Sequence, residues 1–303
     1  MRIWVPAEWV AAGLTGLPGT EVEIVDPDGT GLPASSAEVE FYVPSFFPSL
    51  AGAEAMAQMP RLRVVQALTA GVDKLRPYVP DGAVLCNARG AHDASTAEWV
   101  VAAMLAAIRG FPGFALDQSE RRWNYHHTDA LAEKTVLIVG YGSIGAAVER
   151  RLAGFDVTVL RVARAPRDGV AGIAGLPALL PRADVVVVLV PFTAETAGMV
   201  DAAFLARMRD GALLVNAARG AVVDTGALVA ELSSGRLRAA ADVTDPEPLP
   251  PEHPLWTAPG VFITPHVAAS TPVSTRRVVG FVRSQAEAYL RGEPLRNVIT
   301  DTY

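Results

Sequence analysis

The sequence predicts an α/β fold in which parallel β-sheets are covered by helices. Short apolar runs alternate along the chain with segments long enough for helices, which is the pattern of β-α-β units. Some later runs, such as Val-Val-Val-Val-Leu-Val at 185–190, are continuously apolar, so we expect helices on both faces of that sheet. The 303 residues can bury a sizeable core and suggest about two domains.

The N-terminal third contains the first series of predicted strands. They span residues 2–6, 21–25, 38–43, 62–68 and 84–86. The segments between them have room for helices, for example at residues 51–59. We therefore expect a first parallel sheet with its own helical cover.

The next segment, residues 94–108, predicts a helix with little polar surface. Asp93 or Ser95 is suited to cap its start, and Gly110 and Pro112 end it. Because almost every residue from 97 to 108 is apolar, we expect this helix to be buried. It runs either between two domains or against a second subunit, or it is an ordinary core helix.

A second series of strands and a final helix complete the pattern. The strands span residues 135–139, 157–162, 185–190, 213–216, 239–243 and 262–264. Six parallel strands with crossover helices match the doubly wound, dinucleotide-binding fold. The final helix runs from Pro272 to about Leu290, with Thr271 as its cap and Gly292 as its stop. Its position allows it to return to the first domain, which would make that domain discontinuous.

Composition and charge exclude several classes of protein. The 26 basic and 32 acidic residues give a net charge of −6, and the basic residues are scattered, so we expect no nucleic-acid partner. A lone cysteine, Cys86, excludes an internal disulfide framework and fits a reducing compartment. The N-terminus lacks the apolar region of a signal peptide, and no apolar run reaches the ~20 residues of a membrane span. We expect a cytoplasmic globular protein with no membrane contact and no metal.

A glycine-rich loop at residues 140–145 carries the first functional signal. The sequence Gly-Tyr-Gly-Ser-Ile-Gly is a G-x-G-x-x-G that follows a predicted strand and opens a predicted helix at 146–152. Gly140 permits the tight turn, Gly142 lets the backbone approach a pyrophosphate, and Gly145 allows close packing of helix on strand. The helix N-terminus offers N–H groups to phosphates, so the loop predicts dinucleotide binding. The alternative is a tight turn without a ligand.

The end of the second strand in this series indicates which dinucleotide binds. An enzyme that uses NAD usually places an acid there to bond the ribose 2′-OH, whereas Asp156 lies at the opposite end of this strand. Arg164, with Arg167 or Arg161 nearby, is suited to bind a 2′-phosphate. We therefore expect NADP to be preferred, with NAD possible. The alternative is that these arginines are solvated surface residues.

Three short motifs follow later strands of the second series. Residues 216–220 read Asn-Ala-Ala-Arg-Gly, residues 242–248 read Asp-Val-Thr-Asp-Pro-Glu-Pro, and residues 264–269 read Thr-Pro-His-Val-Ala-Ala. They supply an arginine, a carboxylate and a histidine at the carboxyl edge of the sheet, where ligands bind in open α/β folds.

With these motifs in this order, the chain resembles the D-isomer-specific 2-hydroxyacid dehydrogenases, and within them the glyoxylate/hydroxypyruvate reductases. The resemblance covers essentially the whole chain. It implies that Arg219, Glu247 and His266 form the catalytic trio. It also implies that backbone amides in the segment Thr69–Asp73 hold the substrate carboxylate. The substrate-binding residues we expect are Ala70, Gly71, Val72 and Arg219.

The resemblance extends to the cofactor site and to the domains. The expected cofactor contacts are Thr96, Gly140, Gly142, Ser143, Ile144, Gly145, Arg164, Val190, Pro191, Thr196, Ala217 and Asp242. It implies a smaller, flavodoxin-like α/β substrate domain made of residues 1–93 and 271–303, beside a Rossmann dinucleotide-binding domain of residues 94–270. Relatives of this kind are usually homodimers.

The chemistry suits these residues. Reduction of a 2-oxo acid needs a hydride at the carbonyl carbon and a proton at its oxygen. Histidine suits the acid role, and the carboxylate of Glu247 is expected to raise the pKa of His266 by stabilising the imidazolium. Arg219 stays charged and presents a planar donor fork, so it can bind the substrate carboxylate and polarise the carbonyl.

Other features leave alternatives open. Thr244 stands where many relatives carry an aromatic residue, and His92, His126, His127 and His253 are expected on the surface or in packing. Phe46 and Phe47 either line the substrate site or pack in the core. Two other functions fit the same motifs: a nucleotide-sensing, corepressor-like binding protein, and a dehydrogenase of another small anion such as phosphite.

Overall fold

The computed structural model describes residues 1–25, 32–46 and 49–300. The chain divides into two compact units, Met1–His92 with Pro272–Tyr303 and Asp93–Thr271. Within the described residues no single helix has the length and apolar character of a membrane span, and one bent pair of helices, Asp93–Ile108 and Phe111–Ser119, meets those criteria only when taken together.

Strands and helices alternate through both units. The strands are β1 Arg2–Val5, β2 Glu21–Ile24, β3 Val39–Tyr42, β4 Val64–Gln66, β5 Val84–Cys86, β6 Thr135–Val139, β7 Thr158–Ala163, β8 Ala171–Gly172, β9 Val185–Val188, β10 Leu213–Asn216, β11 Arg238–Ala241 and β12 Val261–Ile263. The α-helices are α1 Glu8–Leu14, α2 Leu50–Glu54, α3 Asp93–Ile108, α4 Phe111–Ser119, α5 Ser143–Leu152, α6 Leu176–Leu179, α7 Ala202–Arg207, α8 Thr225–Ser233 and α9 Pro272–Leu290.

The first unit contains a five-stranded parallel sheet in the order β2-β1-β3-β4-β5. This is the flavodoxin-like order of doubly wound folds. Apolar side chains pack on both faces of the sheet, and α9 completes one of these layers with Val278, Val282 and Ala286, all fully buried. The segment after α9 lies along the outer edge of β5, where Val298 forms an antiparallel bridge with Cys86.

The second unit contains a seven-stranded parallel sheet in the order β12-β11-β10-β9-β6-β7-β8. Strand β9 is fully buried, as its continuous run of valines predicts. The chain order of the strands reverses between β6 and β9, and such a switch point opens a crevice at the carboxyl edge of the sheet. The predicted α/β class, with a doubly wound dinucleotide fold and a smaller flavodoxin-like sheet, is confirmed.

Several local predictions need correction. Helix α3 ends at Ile108, and Gly110 follows it in the left-handed region at φ 67°. Pro112 is not the residue that ends α3, because it lies in the first turn of the next helix, α4. In the single chain Ala102 of α3 is exposed and Trp99 is half-buried, so burial of this helix on all sides, which the sequence allowed against a second subunit, stays a prediction. The short strand β8 adds a seventh member to the six predicted strands of the second sheet.

Phe46, which follows β3, packs against the core of the first unit. Phe46 stacks on Trp9 at a centroid distance of 5.8 Å and meets the ring of His92 edge-on at 6.2 Å. This packing places Phe46 in the core. Phe47 lies outside the described residues.

Candidate active site

The three motif loops leave adjacent strands of the second sheet. Strands β10, β11 and β12 are neighbours and run parallel, so the loops that follow them start from the same edge. The fold therefore brings the arginine, carboxylate and histidine loops to one side of the second unit. The phosphate loop after β6 starts from the same edge, across β9.

The loop that carries Arg219 is shaped by the asparagine that ends β10. Asn216 is 4% exposed, and its side-chain oxygen accepts a hydrogen bond from the Ala218 amide at 3.1 Å. Its amide nitrogen donates to the Arg219 carbonyl at 3.1 Å. A short polar side chain that bonds the following backbone closes a tight turn. Asn216 thus fixes the backbone at Ala218 and Arg219.

The neighbouring loop contains a buried carboxylate, Asp242, which is 2% exposed. One of its oxygens accepts from the Thr264 hydroxyl at 2.6 Å and the Val267 amide at 2.8 Å, and the other accepts from the Ala268 amide at 2.8 Å. The backbone carbonyl of Asp242 accepts from the His266 amide at 2.7 Å. Asp242 was expected to contact the cofactor, and the structure places its carboxylate in bonds that hold the histidine loop.

His266 and Glu247 form a direct pair. The Nδ1 atom of His266 lies 2.5 Å from Oε1 of Glu247, and both side chains are about one-third exposed or less, at 28% and 33%. An ionised carboxylate only accepts, so Nδ1 carries the proton and Nε2 is the nitrogen on the opposite edge of the ring. The backbone of His266 adopts φ 53°, in the left-handed region, where the bonds to Asp242 hold it.

The phosphate loop has the geometry that its glycines predict. Gly140 adopts φ 99°, and a Cβ atom there would lie 2.6 Å from the backbone of Leu189. At Gly142, by contrast, no atom of the described residues other than its chain neighbours lies within 4 Å of the position a Cβ would take. That open cradle adjoins the N-terminus of α5, whose first residue, Ser143, donates its hydroxyl to Asp93 at 3.1 Å. These residues fit a bound pyrophosphate.

An ion pair beside this loop was not predicted. Glu149 in α5 accepts hydrogen bonds from Arg161 and from the Tyr141 hydroxyl, and Arg161 Nε contributes one of them at 2.9 Å. The Arg161 guanidinium holds the pKa of Glu149 below its usual range, and Glu149 raises the pKa of Tyr141. Arg161 is thereby committed to Glu149, although the sequence also allowed it a role at the 2′-phosphate.

The remaining arginines of that region lie on the surface. Arg164 and Arg167 are exposed, and Arg167 Nη2 donates to the Tyr141 carbonyl at 2.5 Å. The Arg167 guanidinium also lies 5.6 Å from the centre of the Tyr141 ring. Arg167 is therefore attached to the phosphate loop itself.

Other predicted cofactor contacts occupy varied positions. Thr96 is 5% exposed within α3, and Thr196 donates its hydroxyl to the Pro191 carbonyl at 2.6 Å, which closes the turn after β9. Val190 lies half-buried at the end of β9, as Ala217 does beyond β10. Gly145 is buried on the inner side of α5, and Ile144 is half-buried. In the part of the chain that the structure describes, no cluster of three His, Cys, Asp or Glu side chains could hold a metal.

The expected carboxylate-binding residues lie in the first unit. Ala70, Gly71 and Val72 follow β4, and Val72 is buried while the other two are half-buried. Asn216 and Glu149, which act through other residues, were not among the predicted site residues. An asparagine at a strand end was a readable signal for Asn216, because asparagine commonly bonds the backbone two residues on. The partner of Glu149 is distant in sequence and carried no such signal.

Comparison with known proteins identifies the family. A sequence profile described as "D-isomer specific 2-hydroxyacid dehydrogenase, NAD binding domain" matches residues 101–268. The chain is 33% identical over 258 residues to a D-3-phosphoglycerate dehydrogenase of Archaeoglobus fulgidus, with 82% of this chain and 49% of that protein covered. It thus spans about half the length of that relative.

Two further relatives are similar in length to this chain. A glyoxylate reductase of Thermofilum pendens is 33% identical over 258 residues, which cover 80% of this chain and 76% of that protein. The crystal structure of a D-isomer specific 2-hydroxyacid dehydrogenase from Xanthobacter autotrophicus Py2, in complex with NADPH and MES, superposes with a TM-score of 0.85 at 31% identity, covering 99% of this chain and 97% of that one. The resemblance seen in the sequence is confirmed, and the chain belongs to the D-isomer-specific 2-hydroxyacid dehydrogenase family.

Proposed function

We propose that the protein is an NAD(P)-dependent reductase that converts a 2-oxo acid to a D-2-hydroxy acid. The observation that carries this proposal is the His266–Glu247 pair at the carboxyl edge of the dinucleotide-binding sheet, in a member of this family. A nicotinamide cofactor supplies the hydride when it is bound. The protein's own residues then have to supply a proton and hold the substrate.

His266 supplies the proton in this proposal. Because Nδ1 is bonded to Glu247, Nε2 is the atom that delivers a proton to the carbonyl oxygen, and the Glu247 carboxylate stabilises the imidazolium before transfer. Asp242 keeps the histidine loop in place through its bonds to the Val267 and Ala268 amides. The general acid, His266, is thus held at its ring by Glu247 and at its backbone by Asp242.

Arg219 binds the substrate carboxylate in this proposal. The guanidinium of Arg219 presents donors in a fixed plane, which suits a carboxylate and its neighbouring carbonyl. Asn216 orients the backbone on which Arg219 stands. Within the first unit, the backbone amides of Ala70, Gly71 and Val72 are the donors that we assign to a substrate carboxylate.

The cofactor of this proposal is NADP, with NAD as the weaker partner. Since Arg161 is paired with Glu149, we assign the 2′-phosphate to the exposed side chains of Arg164 and Arg167. No acid stands at the end of β7 to bond a ribose 2′-OH, since the strand ends in Arg-Val-Ala and Arg164 follows. The NADPH complex of the Xanthobacter relative supports this choice.

The protein is further proposed to be a homodimer that forms through the second unit. The aromatic segment, which we define as residues 121–127, carries Trp123 at 96% exposure and Tyr125 at 80%. Asp117 holds this segment through bonds from Arg122 at 3.0 Å and Asn124 at 3.0 Å. An anchored segment that presents large aromatic side chains to solvent is typical of a protein interface. We propose that the partner is a second copy of this chain.

A substrate panel tests the proposed function. Glyoxylate, hydroxypyruvate and phenylpyruvate would be offered with NADPH and with NADH, and the configuration of the hydroxy acid formed would be determined by chiral chromatography. We expect oxidation of NADPH with at least one 2-oxo acid and a product of D configuration. If all three acids fail while the protein binds NADPH, the reductase proposal is wrong. Formation of an L product would contradict the assigned stereochemistry.

A further inference from the structure

Four successive peptide carbonyls after β4 all accept hydrogen bonds from the first unit. The acceptor and donor pairs are Leu68 O with His92 Nε2 at 2.7 Å, Thr69 O with the Ala88 amide at 2.9 Å, Ala70 O with Asn87 Nδ2 at 2.7 Å, and Gly71 O with Thr69 Oγ1 at 2.6 Å. In a planar trans peptide the carbonyl and the following N–H point in opposite directions. Bonds to these carbonyls therefore set the directions of the N–H groups of residues 69–72.

Asn87 is the residue that links this loop to its support. It is 5% exposed, its Nδ2 donates to Ala70, and its Oδ1 accepts from the Arg89 amide at 3.1 Å. The NH2 group of the side chain thus faces an acceptor and its oxygen faces a donor, which fixes the orientation of the side-chain amide. The bond to Ala70 orients the peptide group whose N–H belongs to Gly71.

The segment after α9 holds Asn87 from the other side. The backbone amide of Asn87 donates to the backbone carbonyl of Asn297 at 3.1 Å. In return, Asn297 Nδ2 donates to the backbone carbonyls of Arg89 at 2.9 Å and Asn87 at 3.4 Å. The Ile299 amide donates to Leu85 at 2.8 Å and so continues the pairing with β5. Asn297 adopts φ 55°, a left-handed conformation that asparagine tolerates better than most residues.

We propose that Asn87, with Asn297 behind it, is a positioning residue for the substrate carboxylate. The inference rests on the proposed function, in which the amides of residues 70–72 bind that carboxylate. Neither asparagine touches the substrate in this proposal, because each acts on the backbone of the loop. Loss of either one lets the peptide groups rotate, which weakens carboxylate binding and leaves the chemical step and the cofactor site intact.

The test compares three single variants with the wild-type protein. Asn87→Ala removes the bond to Ala70, and Asn297→Gly removes the second asparagine while keeping the left-handed backbone accessible. Arg296→Ala is the matched control, because the Arg296 side chain belongs to the same segment but bonds Ser284 and lies over Phe281. KM for glyoxylate, kcat, KM for NADPH and the inhibition constant of oxalate would be measured, with thermal unfolding as a check on folding.

Asn87→Ala is expected to raise both KM for glyoxylate and the inhibition constant of oxalate by about 3- to 10-fold, the scale of one neutral hydrogen bond. Asn297→Gly should act in the same direction and less strongly, and Arg296→Ala should match the wild type. KM for NADPH should stay unchanged in all three. Unchanged constants for glyoxylate and oxalate in folded Asn87→Ala would overturn the proposal, and so would an equal rise in KM for NADPH. A wild-type protein without activity on any 2-oxo acid would instead overturn the proposed function.

Discussion

At the scale of single residues, the proposed mechanism makes proton transfer depend on His266 and its carboxylate partner. His266→Ala is expected to lower kcat by about 100-fold or more, the effect of a lost general acid. In Glu247→Gln the imidazolium loses the negative charge of its hydrogen-bond partner, so kcat for reduction should fall while KM for NADPH stays unchanged. Steady-state kinetics check both effects. An unchanged kcat in Glu247→Gln, with proton transfer at least partly rate-limiting, would refute the pair.

We expect the choice of cofactor to depend on Arg164 and Arg167 in different ways. We expect NADPH to exceed NADH in kcat/KM by about 10- to 150-fold, since one charge-assisted contact contributes ~1.5–3 kcal/mol. Arg164→Ala should remove most of that preference through KM for NADPH, with NADH nearly unaffected. Arg167→Ala should weaken both cofactors, because Arg167 also bonds the phosphate loop at Tyr141.

Arg207→Ala, an exposed arginine in α7, is the control for these two variants. Kinetics with both cofactors and one good 2-oxo acid decide the question, and added salt should weaken NADPH binding more than NADH binding. Equal kcat/KM for the two cofactors in the wild type would show that these arginines are ordinary surface charge.

The sequence was informative about residues whose chemistry acts at strand ends. The loops that carry Arg219, Glu247 and His266 could be located because each follows a predicted strand of one sheet, and the resemblance to the family assigned the three residues within them. The support given by Asp242 could not be foreseen, since its partners are backbone amides 25 and 26 positions later. The pairing of Arg161 with Glu149 was hidden for the same reason, because it depends on how α5 lies against β7.

At the scale of elements, substitutions at two glycines of the second unit should have different effects, one on the affinity for NADPH and the other on the free energy of unfolding. Gly142→Ala places a Cβ in open space, so we expect an unchanged Tm and about a tenfold weaker affinity for NADPH, because the Cβ obstructs the approach of the pyrophosphate. Gly220→Ala places a Cβ 1.9 Å from the Thr244 carbonyl oxygen, so it should lower the free energy of unfolding by about 3 kcal/mol or more. Thermal denaturation and fluorescence titration with NADPH distinguish them. A large fall in Tm for Gly142→Ala would contradict this division of roles.

Element boundaries were predictable where composition alone decides them. Strands β6 and β10 and helix α9 match their predicted limits, because each is a continuous apolar run or a helix with clear start and stop residues. Helix α2 stops at Glu54 and continues as a 3₁₀ turn, Ala55–Gln58, where an unbroken helix was expected. Tertiary packing decides such details, and a single sequence does not express it.

At the scale of the whole molecule, the aromatic segment predicts assembly. The wild type should have twice the chain mass of 31.9 kDa in solution, and Trp123→Asp should shift it to the monomer by placing a charge in the interface. Ile173→Asp, at another exposed apolar position of the second unit, is the control and should remain dimeric. Light scattering coupled to size-exclusion chromatography measures both. A monomeric wild type would exclude the homodimer.

The return of α9 to the first unit has a consequence for synthesis on the ribosome. Residues 1–92 emerge before the second unit, yet their core lacks Val278, Val282 and Ala286, which are translated only after that unit. The second unit, by contrast, is one continuous stretch and can complete its core as soon as Thr271 has left the exit tunnel. Since domains generally fold as units during translation, we expect the second unit to complete its fold before the first unit does. Until α9 is available, the core of the first unit is incomplete and its N-terminal apolar strands are not fully covered. We expect the nascent chain to need chaperones most during this period.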